Sequence, residues 1–282
     1  MGMAKASEPP VLCINLAHAT KRWENISAGV ARALPNSALH RMDAVDWRNL
    51  SPGLDEVPVT LFSRYLLLFP GCQPRDRLSH RQLDTPSSVA IMLSHIRCWV
   101  WLQDHPDVPC VVILEDDACF DASFEAAWRG SVVPILQRPQ DWDVLLLGYS
   151  LKGSAHGNAM VNGVPLHTSS QWFGMHAYVV TRKAVDVLLQ HAFPMDHQSD
   201  GLMLTLHELG MLRVYLLPQS VSSQCLNEID RGGSWHTHTT VTSTSDTTFI
   251  HRHLVGGGNG AVTALLLVLI VAAVVAWQRR AP

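Results

Sequence analysis

The segment Val111-Val-Ile-Leu-Glu-Asp-Asp117 constrains this chain more than any other. Four consecutive large aliphatics read as a strand buried on both faces. Glu115, Asp116 and Asp117 follow at once, and the sequence turns apolar again at Ala118-Cys119-Phe120. Three adjacent acids repel one another and are not buried unpaired at tolerable cost. A cation at the carboxyl end of the strand resolves the conflict, and oxygen-only ligands there suit Mg²⁺ or Mn²⁺. In open α/β sheets, ligands collect outside the carboxyl ends of strands. The competing account is a solvated turn after a core strand, which strand-end carboxylates serve as often.

The rest of the chain fits an α/β domain. Hydrophobic residues make up 47% and charged residues 16%, which argues for a packed core and against disorder. A net charge of −3 leaves no electrostatic footprint for nucleic acid. The six cysteines are scattered without a CxxC pair, so buried free thiols are expected. Val11 to Leu16 reads as a strand and Thr20 as the cap of a helix ending before Pro35. Ala38 to Val45 reads as a second strand, giving a βαβ opening. Residues 51–83 lack pattern and read as loops around an apolar patch at Leu66. Thr85-Pro86 marks the start of a helix reaching Asp104. Asp121 is the expected cap of a helix to about Gln137, followed by a buried strand from Asp143 to Gly148. Residues 150–171 are rich in Gly, Ser, Asn and His, and are expected to form a functional loop or lid. A strand from His176, helices starting at Thr181 and near Asp200, and a last strand from Arg213 to Leu217 complete the domain.

The C-terminus has a different character. Residues 261–277 (AVTALLLVLIVAAVVAW) carry no charge and span about 25 Å as a helix, enough for a thin bilayer. The expected organisation is a disordered N-terminus at 1–9, a catalytic-type domain at 10–233, a Ser/Thr/Gly-rich stalk at 234–260 and a transmembrane helix at 261–278. The N-terminus has no apolar h-region. The expected location is therefore a membrane, with a single-pass C-terminal anchor and the large domain in the cytosol. Arg279-Arg280, which favour the cytosolic side themselves, oppose that topology.

An ordered series of short motifs carries a family resemblance. Val11-Leu-Cys-Ile-Asn15-Leu precedes Lys21-Arg22-Trp23, and Arg41-Met-Asp43-Ala-Val-Asp46 ends the second strand. Leu93-Ser94-His95, Ile113-Leu-Glu115-Asp116-Asp117 and Ala177-Tyr178 follow, then Pro194-Met-Asp196 and Pro218 to Gln224. In this order the chain resembles glycosyltransferase family 25, the lipooligosaccharide and procollagen galactosyltransferases. Two departures stand out. Pro86-Ser-Ser-Val-Ala-Ile-Met replaces the usual Gly-Glu-x-Gly-Cys before Ser-His, and Asp46-Trp47 replaces Asp-Gly. Lost glycines change how closely backbone and substrate approach.

The resemblance implies a GT-A-type, Rossmann-like nucleotide-sugar-binding domain. The implied activity is metal-dependent hexose transfer, with galactose from UDP-galactose as the expected donor, to a hydroxyl of a glycan or glycoprotein acceptor. Glu115, Asp116 and Asp117 are the expected ligands of Mn²⁺ or Mg²⁺, countering charge on the departing diphosphate. Asn15, Asp43, Asp46, Ser94, His95 and Gln224 are expected around the UDP-sugar, although Asp46 serves equally well to close a turn. For an inverting transfer Asp196 or Asp200 is the expected base, with an N-cap role as the alternative for Asp200. A degenerate relative that binds a glycan or partner without transfer is the competing function.

Overall fold

Alternation within the strands sorts the core into two faces. In β1 (Val11–Asn15), Val11 and Cys13 join one apolar cluster while Leu12 and Ile14 join the other. In β3 (Cys110–Glu115), Val112 and Leu114 follow the first pair, Val111 and Ile113 the second. Period-two strands buried on both sides demand a helical layer on each face. The computed structural model describes residues 8–51, 54–68, 81–83, 85–138, 141–151 and 157–225. All of these belong to one compact unit within Met1–Ser243.

An eight-stranded mixed sheet runs in the order β2 (Leu39–Asp43), β1, β3, β8 (Trp172–Thr181), β5 (Val144–Leu151), β9 (Val214–Leu216), β7 (Val164–Thr168), β6 (Gly157–Val161). β1 pairs in parallel with β2 (Leu39–Asp43) and with β3. Parallel neighbours need crossovers, which α1 (Thr20–Ala33) and α3 (Pro86–Asp104) supply. β8 (Trp172–Thr181) lies antiparallel between β3 and β5 (Val144–Leu151), setting Tyr178 opposite Ile113 and Leu146. On one face α3, α6 (Arg182–His191) and α7 (Ser199–Glu208) bury Val89, Met92, Trp99, Val185, Leu188 and Met203. On the other, Ile26 and Val30 of α1 pack with Phe124, Trp128 and Ile135.

Local signals explain the helix starts. The Thr85 hydroxyl accepts from Ser88 N at 3.2 Å, and Thr85 N donates back to Ser88 Oγ at 3.2 Å, with Pro86 in the first turn. A cap of this kind contributes about 1 kcal/mol. Thr181 caps α6 in the same way, its hydroxyl accepting from Ala184 N. Thr20 is not a cap, because it is already helical; Ala19 holds the cap position with no side-chain bond.

Elsewhere the structure corrects the sequence reading. Leu61–Leu68, expected among loops, is a helix, α2, which buries Ser63, Leu66 and Leu67. The expected lid at 150–171 contains a hairpin, β6 (Gly157–Val161) and β7 (Val164–Thr168). Its turn is Asn162-Gly163, with φ of 52° and 80°, the pair of left-handed conformations that tight hairpins require and Asn-Gly supplies. Asp121 is not a side-chain cap either. It accepts the Ser223 hydroxyl, and Ser123 precedes α4 (Phe124–Ala127), which passes through a wide turn at Trp128–Val132 into α5 (Val133–Leu136). β9 (Val214–Leu216) is not the last strand: β10 (Ser222–Gln224) pairs antiparallel with β4 (Ala118–Phe120).

That small β4–β10 sheet overturns the expectation of free thiols throughout. Cys119 and Cys225 form a disulfide across it, with Cα atoms 5.7 Å apart and a sequence separation of 106. Cys13, Cys98 and Cys110 are buried and free. Burial pushes the Cys110 thiol up to about 12 and raises Cys13 and Cys98 as well, so all three stay protonated and unreactive. No described helix is long and apolar enough to cross a membrane. The expected membrane segment and stalk lie outside the described residues.

Candidate functional site

The end of β3 and the turn after it bring three adjacent acids to one place, and the surrounding chain treats each differently. Asp116 is neutralised by protein. Its Oδ1 accepts from Arg22 Nη1 at 3.0 Å and its Oδ2 from Asn15 Nδ2 at 2.6 Å. Burial still raises its carboxyl, against the pull of Arg22 and Asn15. Glu115, the last residue of β3, turns toward α3, where His95 Nε2 meets its Oε1 at 3.4 Å. Burial pushes this carboxyl up, but the His95 bond and nearby positive charge hold it below the ordinary range.

Asp117 has no such compensation. It is 3% exposed, and among the described residues Oδ1 has no hydrogen-bond partner. Oδ2 has one long contact, from Gln224 Nε2 at 3.5 Å. Burial, then the charges of Glu115 and Asp116, drive its carboxyl well above the usual carboxylate range. A buried carboxylate this weakly partnered is costly unless it is protonated or meets a cation. Backbone bonds hold the turn in place: Asp117 O accepts from Cys225 N at 2.7 Å, beside the Cys119–Cys225 bridge.

The other sequence-derived candidates spread around this turn. Asn15, 1% exposed, spends its side chain on protein: Nδ2 reaches Asp116 and Ala19 O, and Oδ1 accepts from Arg41 Nε at 2.9 Å. Arg41 Nη2 also bonds Leu16 O and Ala17 O, so β2 is laced to the end of β1. Asp43 is exposed at the end of β2, its carbonyl accepting from Arg97. Asp46 closes a turn, accepting from Arg48 N at 3.0 Å. Ser94 is buried, accepting from Val45 N and donating to Ala90 O. His95 is 0% exposed with both ring nitrogens engaged, so it reaches the site only through Glu115.

The two acids offered as bases differ in availability. Asp200 gives both oxygens to backbone: Oδ1 accepts from Gly201 N at 2.8 Å and Oδ2 from Gly174 N at 3.0 Å. Gly174 has φ of 77°, a conformation that favours glycine, at the start of β8. The Asp196 side chain is 44% exposed and pairs with His197 Nδ1.

His176 is the residue that sequence reasoning missed. It is buried on β8, and its Nε2 bonds Ser222 O at 2.8 Å, tying β8 to β10. A carbonyl only accepts, so Nε2 carries a proton. The buried Nδ1 has no partner among the described residues. The signal in the sequence was a histidine inside an otherwise apolar strand, which by itself reads as an ordinary core histidine.

Among the described residues no three His, Cys, Asp or Glu side chains form a metal-binding group. The oxygens of Glu115 and the orphan Oδ1 of Asp117 still suit a hard divalent ion that draws its remaining ligands from a diphosphate and water. Asp116, with both oxygens taken, does not suit that role.

Similar solved structures are distant. A197 from STIV is 12% identical with a TM-score of 0.38, over 76% of this chain and 83% of that one. The galactosyltransferase LgtC, in complex with donor and acceptor sugar analogues, is 12% identical with a TM-score of 0.35, over 86% and 94%. The inositol-1-phosphate CTP transferase from T. maritima is 8% identical with a TM-score of 0.30, over 78% and 89%. No curated protein sequence matches the chain. The family model described as glycosyltransferase family 25 (LPS biosynthesis protein) matches residues 8–203, from the start of β1 through the acidic turn into α7. On that match the chain belongs to glycosyltransferase family 25.

Proposed function

We propose that this glycosyltransferase has a GT-A-type domain and moves a hexose, galactose from UDP-galactose in the first instance, to a hydroxyl of a glycan or glycoprotein. The observation that carries the reading is Asp117: a buried carboxylate at the carboxyl end of a core strand, whose Oδ1 has no partner among the described residues. Such a group destabilises the empty protein, and a cationic ligand removes the cost. Glu115 and Asp117 would hold the divalent ion, Mn²⁺ or Mg²⁺. When bound, the ion counters the negative charge that grows on the departing diphosphate.

The protein's own residues do the rest. Arg22 and Asn15 hold Asp116, and through it the turn, so that Glu115 and Asp117 keep their spacing. Gln224 reaches Asp117 from β10. Asp196, with part of its carboxylate in solvent, takes the acceptor proton in an inverting transfer, and Asp200 positions the start of β8. The apolar segment at 261–278 anchors the enzyme to a membrane.

The test is UDP release by the purified protein from a panel of UDP-hexoses, with and without Mn²⁺. Asp117→Asn should abolish Mn²⁺-dependent release. Release that survives this substitution unchanged removes the metal role, and release without added divalent ion removes metal dependence.

A further inference from the structure

Behind Glu115 lies a chain of three fully buried groups on α3 and β8. Trp99 Nε1 stands 3.1 Å from the Tyr178 hydroxyl, that hydroxyl 3.0 Å from His95 Nδ1, and His95 Nε2 3.4 Å from Glu115 Oε1. Trp99, Tyr178 and His95 are each 0% exposed. Water therefore does not supply alternative partners, and every donor must find its acceptor inside the chain.

The direction of each bond follows from one fact: an indole N–H only donates. Trp99 therefore makes the Tyr178 oxygen an acceptor. The Tyr178 proton must go to the remaining neighbour, His95 Nδ1, which is then the bare nitrogen. The ring proton sits on Nε2, facing Glu115. The opposite end gives the same answer, because an ionised carboxylate only accepts. The alternative, a proton on Nδ1, strands the Tyr178 hydroxyl between two donors with no acceptor among the described residues. Leaving one buried donor unpaired costs about 1–3 kcal/mol.

We propose that His95 is a positioning residue locked in the Nε2–H tautomer by Trp99 and Tyr178, and that it fixes the orientation of Glu115 in the donor site. His95 does not touch the sugar nucleotide. It commits Oε1 of Glu115 to the protein and leaves Oε2 as the oxygen offered to a ligand. The functional part rests on Glu115 belonging to the donor site; the tautomer does not.

Long-range ¹H–¹⁵N spectra of the full chain, labelled at histidine and without ligand, read the tautomer directly, with the His95 signal identified by its loss in His95→Gln. The expected result is a bare Nδ1 and a protonated Nε2. A protonated Nδ1 in the wild-type protein overturns the proposal, whatever the variants do. Tyr178→Phe should relax the ring to mixed tautomers and raise the donor KM about 10-fold or more, as loss of outer-shell support does. His95→Gln, which keeps an N–H near the Nε2 position, should retain more donor affinity than His95→Leu. A donor KM unmoved by Tyr178→Phe and equal in Gln and Leu variants overturns the positioning role. Absence of UDP-hexose turnover by wild type would instead sink the donor-site reading and leave the spectral result standing.

Discussion

Gly148 of β5 lies against the ring of His176 on β8 so closely that a Cβ at Gly148 would overlap the imidazole at Nε2 and Cδ2. The absent side chain makes room for the bond from His176 to Ser222 O, and so for the seat of β10. β10 carries Gln224, which reaches Asp117. One glycine in a core strand is thus linked through a histidine to the acidic turn.

Gly148→Ala should therefore cost more than an exposed strand substitution. Overpacking a tight core site costs about 1–3 kcal/mol, and displacing the ring breaks a buried hydrogen bond as well. Urea denaturation should show the loss, and donor affinity should fall with it because β10 loses its tie to β8. An alanine variant as stable as wild type would mean that the ring has another place to go.

Asp117 should trade stability against function. Its carboxyl is raised well above the ordinary Asp value of 3.8 by burial and by Glu115 and Asp116. Below that ordinary value both folded and unfolded chains are protonated there. As pH rises past it, the unfolded chain ionises first and gains, so folded stability falls until the raised folded value is passed. Asp117→Asn removes this loss. The variant should be about 1–3 kcal/mol more stable than ligand-free wild type at pH 8, with a smaller gap at pH 5. Urea unfolding at the two pH values checks the sign, and a gap that shrinks as pH rises would refute it.

The Cys119–Cys225 bridge should be both measurable and informative. Peptide mapping without reductant should recover a peptide linking residues 119 and 225, with Cys13, Cys98 and Cys110 slow to alkylate until the chain unfolds. Cys225→Ser should lower stability by about 2–4 kcal/mol under oxidising conditions. Bridges of this kind persist in oxidising compartments. The same mapping on protein taken from cells therefore reports its compartment: linked peptide marks an oxidising one, free thiols the cytosol.

What the sequence made legible was what local patterning controls. The buried strand ending in Glu115, the capping box at Thr85 and the cap at Thr181 each rest on residues within a few positions of one another. The hairpin turn at Asn162-Gly163 was equally local and was lost behind the polar composition of its flanks. The site's wiring was not legible, because it joins residues far apart in the chain. Asn15 to Asp116 spans 101 positions, His95 to Tyr178 83 and Cys119 to Cys225 106. Three adjacent acids look alike on paper. Only the partners brought by α1, α3 and β10 give one an arginine, one a histidine and one almost nothing.

The two carboxylates near α7 should separate in kinetics and in stability. Asp200 accepts two backbone N–H groups, one of them from Gly174 in a left-handed conformation. An asparagine keeps a single acceptor oxygen, so Asp200→Asn should forfeit one of these bonds and about 1 kcal/mol. Asp196 holds no backbone group with its side chain; the described contact is to His197, and part of the carboxylate meets solvent. Asp196→Asn should leave the urea midpoint unchanged. If it is the base, kcat should fall by about 10²–10⁴, with the donor KM unchanged. Full turnover in Asp196→Asn alongside a large kcat loss in Asp200→Asn would reverse the two assignments. It would require Asp200 to release Gly174 when the acceptor binds.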